Sequence, residues 1–498
     1  MRLTRLFTRT SGLVAAVLAL FVTVGCGNGG NTVVKTTGNY SNASLNGTYV
    51  YEIHGHVPGI GAYRQVGAFT ADGAGHITEG SDDSNFAGTV SFTGTYQIFN
   101  DGTGSISLNN SGLGSINLAI TIVSSSKVYL MEGDAGAAGG GVAELQSAAA
   151  ATTTPSGTFV FRLHEFSSVE SASKSASEVG AVSISGGTVT GDRVDQNLGG
   201  TSALFNLTGG TFSAPAGMGR GTATLTGSSG FSRNLIYYIV NNSKLVLLVS
   251  NLNAIGSGAA EAQSGAFSNG LAGNYAFGSR GDDPTPGSVP NLSATVGNLS
   301  ASSGTISSFN FDAMQDGTYS HPQGSTTGTF TTAADGRNVL TLTGLSPTVV
   351  WMVNPSRAFF LISSGSDVED GSADLQTVNS FSASTMKGQY AMVMDGVDNF
   401  SVLEDLARVG VMQFDGSSKL SLAELFNGTG TGVGAQPPQG GGLTGNYQID
   451  TTGRIVGSVR NSNTLPLDLV MYAVSSSDAY ILQPDANFEI SGTISLQH

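Results

Sequence analysis

The chain repeats itself four times, and a chain built that way folds as four similar units. Four segments open alike: LNGTYVYEIH from Leu45, PSGTFVFRLH from Pro155, LAGNYAFGSR from Leu271 and MKGQYAMVMD from Met386. Their glycines Gly47, Gly157, Gly273 and Gly388 lie 110, 116 and 115 residues apart. The segments close alike too, with GVAELQ, GAAEAQ, GSADLQ and GTISLQ. Between stands a third match, IVSSSKVYLM, IVNNSKLVLL, MVNPSRAFFL and AVSSSDAYIL. From its valine (Val123, Val240, Val353, Val474) to the closing glutamine (Gln146, Gln263, Gln376, Gln497) is 23 residues in every copy. The repeats are bounded at 43–146, 155–263, 270–376 and 385–498, with linkers at 147–154, 264–270 and 377–384.

Each copy reads as antiparallel β. In the opening segment Tyr49, Tyr51 and Ile53 alternate with Val50, Glu52 and His54, a period of two that gives a strand one buried and one wet face. Short runs such as RQVGAFTA, GHITEG, TVSFTGTYQIF, GSISL, INLAITIV and KVYLME follow, separated by turn signals such as ADGAG and NDGTG. The predicted fold class is all-β: four tandem antiparallel meander units of about eight strands, each an up-and-down barrel or a small sandwich. Only SVLEDLARVGVM, near residue 405, reads as one short helix. LNGTYVY and FTGTYQI loosely resemble the first and a later strand of avidin-like barrels. Such barrels stack biotin on several tryptophans, whereas this chain has only Trp351; the resemblance implies a barrel and brings no ligand.

The first 25 residues stand apart. Arg2, Arg5 and Arg9 precede an apolar run, GLVAAVLALFVTV, as in a secretion signal. That run is too short to span a bilayer as a plain anchor. It ends in TVGC, whose Cys26 is the only cysteine of the chain. This junction resembles the lipobox of bacterial lipoproteins, with Thr23 where that family usually has an aliphatic residue. The resemblance implies that Cys26 carries lipid and is the membrane partner of the chain. Gly27, in place of the aspartate that retains such proteins at the inner membrane, implies the outer membrane. Residues 26–42 then read as a flexible tether. Removing the three arginines leaves 17 bases against 35 acids, about −18, which opposes nucleic acid and anionic lipid as charge partners. A single cysteine makes no internal bridge, so stability rests on packing. Glycine, at 71 of 498 residues without a collagen period, points to many tight turns.

Few residues suggest chemistry. Ser124 and Lys127 have the Ser-x-x-Lys spacing of a catalytic dyad, but the aligned tetrapeptides are SSSK, NNSK, NPSR and SSSD, so a turn explains all four. A second such pair, Ser171 and Lys174, lies in a polar loop, and no G-x-S-x-G occurs. His54 and His56, with His76 as a third ligand, have metal-ligating chemistry. The slot of His54 holds His164, Arg280 and Asp395 in the other copies, which reads as a solvated polar position. The acidic pairs Asp82 and Asp83, Asp282 and Asp283, and Glu404 and Asp405 occupy unmatched places and read as surface loops; GTGTGVGAQPPQGGG reads as a long hairpin loop of copy 4. No cofactor or metal site is expected.

Two function classes follow. One is a non-enzymatic envelope protein, a spacer or a binder of glycan or protein through variable loops. The other is a secreted hydrolase with paired carboxylates in one unit, acting on a polysaccharide. Finally, NLIYYIV with LVLLV, and TVVWMV with AFFLI, are apolar at nearly every position, so both faces of these strands need cover. The copies are therefore expected to pack side to side as an array.

Overall fold

The computed structural model describes residues 38–57, 61–85, 87–110, 114–167, 175–251, 254–283, 291–315, 317–363, 368–398, 404–429, 434–437, 441–486 and 488–498. Cys26 and the signal segment lie outside the described residues, as do Ser171 and Lys174.

Each copy closes into a barrel of eight antiparallel strands, so the barrel and not the sandwich is the fold. In copy 1 the strands run Asn46–Val57, Gly61–Asp72, His76–Ser84, Gly88–Ile98, Thr103–Asn110, Gly114–Ser124, Lys127–Glu132 and Ala138–Leu145, each paired with the next and the eighth with the first. Copies 2 and 3 add one short strand each, Thr188–Gly191 and Thr318–Ser320, outside this count of eight. The glycine of each opening segment has a left-handed backbone, with φ of 122° at Gly47, 107° at Gly157 and 125° at Gly273 and Gly388. Only glycine enters that region without strain, which is why the four copies share it.

Alternate residues of the strands fill the barrels. Tyr49, Tyr51, Phe69, Ile106, Ile120 and Leu130 are in the core of copy 1, and Phe159, Phe161, Leu163, Tyr237 and Leu247 are in that of copy 2. The tyrosine that opens a first strand ties the hairpin turn of its own barrel: Tyr49 donates to the carbonyl of Ser125, Tyr275 to that of Pro355 and Tyr390 to that of Ser476. Ser124 thus lies at a hairpin turn.

Outside the barrels a second set of cores joins the copies. The outer face of the first and second strands of one copy packs on the sixth and seventh strands of the next. Val50, Val66 and Ala68 meet Tyr238, Val240, Val246 and Leu248; Val160, Val179 and Ala181 meet Trp351, Val353, Phe359 and Leu361. Ala276 and Val296 meet Val470, Tyr472 and Leu482, and Ala391, Val393, Ala407 and Val409 of copy 4 meet Val123, Tyr129 and Met131 of copy 1. The expected array is therefore a closed ring: the contact is head to tail and closes after four steps.

Ring closure corrects several readings. The wet face assigned to the opening strands is covered, since Val50, Val160, Ala276 and Ala391 are buried. Residues 404–415 form a strand, Glu404–Asp415, not a helix. Leu406, Met412 and Phe414 face the barrel interior, while Ala407 and Val409 face copy 1. A strand buried on both faces loses its alternation, and its apolar residues then mimic a helical period. Asp82 and Asp83 lie buried in the third strand of copy 1 rather than in a loop. Asp282 and Asp283 end the first strand of copy 3, and Glu404 and Asp405 begin the second strand of copy 4, so neither pair is in a loop. The linker 147–154 contains a 3₁₀ turn, Ala150–Thr152, with Ala150 and Ala151 buried. The tether is docked from residue 38 onward, with Tyr40 N–H donating to the carbonyl of Asn100 and its hydroxyl to that of His498.

Candidate functional site: the loop ends and the polar junction between barrels

In an up-and-down barrel the connections alternate between two ends. One end of each barrel carries the short hairpin turns and the linkers. The other carries the connections between first and second, third and fourth, fifth and sixth, and seventh and eighth strands. The sequence intervals 168–175, 284–290, 399–403 and 429–442 fall between such strands and lie wholly or partly outside the described residues. GTGTGVGAQPPQGGG falls in the last, partly outside the described residues.

The turn ends are held to one another by the glutamine that closes each repeat. Gln146 Nε2 donates to the carbonyls of Ile239 (2.6 Å) and Met218 (2.9 Å), and Gln263 Nε2 to those of Met352 and Asp335 (both 2.8 Å). Gln376 reaches Ala473 (2.8 Å) and Thr452 (2.9 Å), and Gln497 reaches Ile122 (2.8 Å) and Asp101 (3.2 Å). The next residue repeats the link through its backbone: Ser147, Ser264, Thr377 and His498 donate to the carbonyls of Val240, Val353, Val474 and Val123. The spacing of 23 residues between valine and glutamine is the sequence trace of this clasp.

Two residues beyond the clasped carbonyls of Met218, Asp335 and Thr452, the joints are charged. Asp83 accepts from Arg220 and from the Tyr238 hydroxyl (2.7 Å), Asp195 from Arg337 and from Trp351 Nε1 (2.9 Å), and Asp312 from Arg454 and from the Tyr472 hydroxyl (2.7 Å). Each aspartate belongs to one copy and its arginine and aromatic partner to the next. Burial alone would raise the carboxyls of Asp83 and Asp312, but their arginine and hydroxyl partners outweigh it and hold them below the usual range. The fourth joint, between copies 4 and 1, replaces all three members: Leu425, Thr103 and Thr121 stand in the corresponding register. There Asn427 Nδ2 donates instead to the carbonyls of Glu132, Asp134 and Ala137.

His54 is not a solvated position. Its Nε2 lies 2.9 Å from Asp395 of copy 4 and 2.8 Å from Arg280 Nη1 of copy 3, so three of the four residues that share this slot meet across the ring. Asp395 is pushed up by burial and pulled further down by Arg280 and His54, ending well below the usual range. His164 of the same slot lies 2.7 Å from Asp370 of copy 3, to which Arg162 (2.8 Å) and Ser177 (2.6 Å) also donate. Serine, histidine and aspartate together invite comparison with a nucleophilic triad. A triad needs serine and carboxylate on opposite ring nitrogens; here both lie at His164 Nδ1, and Ser177 is fully buried.

The other candidates separate. His56 lies in the first strand of copy 1, whereas His76 begins the third strand at the turn end, paired with Asp72 at 2.9 Å. Among the described residues no group of three His, Cys, Asp or Glu is placed to hold a metal. Lys127 is not an exposed turn residue: its Nζ lies 5.0 Å from the centre of the Tyr129 ring and donates to Ser495 of copy 4 (3.3 Å). The same position in copies 2 and 3, Lys244 and Arg357, pairs with Glu144 and Glu261 of the preceding copy. The turn assignment of the tetrapeptide holds; the role of its base as a joint between copies was hidden, though the acids two residues before the glutamine in three copies, Glu144, Glu261 and Asp374, were its signal.

No family model and no curated protein matches this chain. Among solved structures, it is similar to the transferrin binding protein B double mutant Tyr-167-Ala and Trp-176-Ala of Haemophilus parasuis Hp5, at 12% identity over 74% of this chain and 82% of that one, with a TM-score of 0.19. It is also similar to intact Ap-TbpB, with its N and C lobes, at 10% identity over 76% and 85%, with a TM-score of 0.20. At such scores the chains do not superpose as wholes, and nothing of those proteins' function is transferred.

Proposed function

We propose that this chain is a non-enzymatic, lipid-anchored protein of the cell envelope, whose ring of barrels is a stiff platform offering its loop ends to a protein or glycan ligand. The observation that carries this reading is the division of each barrel into two ends. Residue 38 meets barrel 1 beside Asn100, at a turn end, and the four turn ends are clasped together through the linkers and glutamines. A lipid on Cys26 would hold the ring by that side and leave the long connections away from the membrane. Side chains that suggest catalysis are occupied in joints between barrels. The hydrolase alternative has one matching feature, Glu165 and Glu178 in copy 2, but both carboxylates are spent on Arg233 and shut from solvent.

The test has two arms. Cys26→Ser should move the protein from the detergent phase to the aqueous phase, or leave it unprocessed. A glycan array and binding assays with the soluble ring should then give a ligand whose binding is lost when 284–290 or 399–403 is replaced by a Gly-Ser segment, with the melting temperature unchanged. Wild-type protein in the aqueous phase, or polysaccharide hydrolysis by the purified ring, would overturn the proposal.

A further inference from the structure

The four barrels serve as controls for one another, and their interiors differ in how the buried carboxyls are partnered. Copy 2 places Arg233 between Glu165 and Glu178, and copy 4 places Arg408 against Glu424 (2.7 Å). In copy 3 Glu369 accepts from the hydroxyls of Ser279 and Ser293. Copy 1 holds two interior carboxyls, Asp82 and Glu132, and no interior base. Residues 43–146 contain only Arg64 and Lys127 as strong bases. Lys127 faces copy 4, and Arg64 lies between the inward positions Tyr63 and Gln65, facing outward. Asp83, next to Asp82, also points outward and is taken by Arg220.

The carboxyl of Asp82 receives one side-chain hydrogen bond among the described residues, from the Tyr51 hydroxyl to Oδ1 (2.7 Å), and lines a cavity inside the barrel. That cavity measures about 20 Å³, where one water needs about 10–15 Å³. Gln65 and Asn110 line it as well, and the remaining wall is apolar, including Phe92, Leu108 and Leu118. Burial pushes Asp82 up to about 7, with the neighbouring Asp83 adding to the shift. A carboxyl against an apolar wall, with no counter-charge and room for about two non-hydrogen atoms, has the chemistry of a site for a small organic cation.

We propose that the interior of the first barrel binds a small alkylammonium ion of methylammonium size, its N–H donors on Asp82 and its methyl group against Phe92, Leu108 and Leu118. The cation would supply in copy 1 the charge that Arg233 and Arg408 supply in copies 2 and 4. Larger quaternary ions do not fit the space.

Calorimetric titration of the whole ring with methylammonium chloride, against sodium chloride and tetramethylammonium chloride at equal ionic strength, tests this. Methylammonium should bind and raise the melting temperature, while the other two should do neither. Asp82→Asn, which keeps the shape and removes the charge, should weaken binding by about tenfold or more. Should that variant fold poorly, Leu118→Ala provides the second arm: its enlarged cavity should shift preference toward propylammonium. Equal responses to methylammonium and sodium, unchanged affinity in Asp82→Asn, or unchanged chain-length preference in Leu118→Ala would each overturn the proposal, leaving a cavity that holds water only.

Discussion

Asp312 takes four partners among the described residues: Arg454 and Tyr472 of copy 4, and Tyr319 and His321 of its own copy. Removing such an acceptor leaves the buried Tyr472 hydroxyl and the half-buried Arg454 guanidinium without their carboxylate, which costs about 1–3 kcal/mol. Asp312→Ala is expected to lower the stability of the ring by about 2 kcal/mol in urea unfolding, with little change in far-UV circular dichroism. The joint between copies 4 and 1 gives the reverse experiment. Leu425→Asp alone should destabilise the ring, since it buries a lone carboxylate; adding Thr103→Arg and Thr121→Tyr should recover most of the loss, because the trio would then match the other three joints. A triple variant no more stable than Leu425→Asp would refute that equivalence. These trios escaped a reading of the sequence because each aspartate lies 137 or 142 residues from its arginine and in a different copy. Of their charged members only Asp83, in an acidic pair, stood out, and it was taken for a loop residue.

At the scale of strands and turns the sequence was far more legible. Repeat spacing and alternation placed the opening strand, the hairpin turn at Ser124 and the closing strand, and the unbroken apolar character of strands such as Ser232–Asn241 announced that both faces are covered. The same double burial misled at Glu404–Asp415, where cover on two sides erased the alternation by which a strand is known. The closing glutamine was seen as a repeated letter without a role, because its partners belong to the next barrel. Gln263→Ala removes two hydrogen bonds of 2.8 Å to Met352 and Asp335 and is expected to cost about 1–2 kcal/mol. The change should appear as faster proteolysis at the linker 264–270 before any loss of barrel structure.

For the whole ring, stability should pass through a maximum in mildly acidic solution. Glu132 is pushed up to about 8 by burial, and burial also raises Glu165, Glu178 and Glu424. Glu132 and Glu165, both raised to about 8, keep a proton in the folded barrel that the unfolded chain releases above about pH 4.5, so their stability is present below that pH and falls as pH rises toward about 8; Glu178 and Glu424 act in the same direction. Asp83, Asp312, Asp370 and Asp395 are shifted downward, and their contribution is lost as pH falls below about 4. Thermal melts from pH 3 to 9 should therefore peak near pH 5; a melting temperature that rises steadily to pH 8 would contradict the buried, protonated glutamates. The ring itself could not be read from the sequence, since four side-by-side contacts and three look alike until the last copy is seen to meet the first.

That last meeting has a consequence for the order of the units. A linear row of repeats needs special end units with polar outer faces, but here every barrel has a neighbour on both sides, and Tyr40 touches His498 where the two ends of the described chain come together. Which copy comes first is then close to arbitrary. A circular permutant that begins within 264–270 and joins residue 498 to residue 38 through a short linker is expected to fold to the same ring, with a melting temperature within a few degrees of the parent. Deleting any one copy would leave two adhesive faces without each other, free to recruit a second molecule.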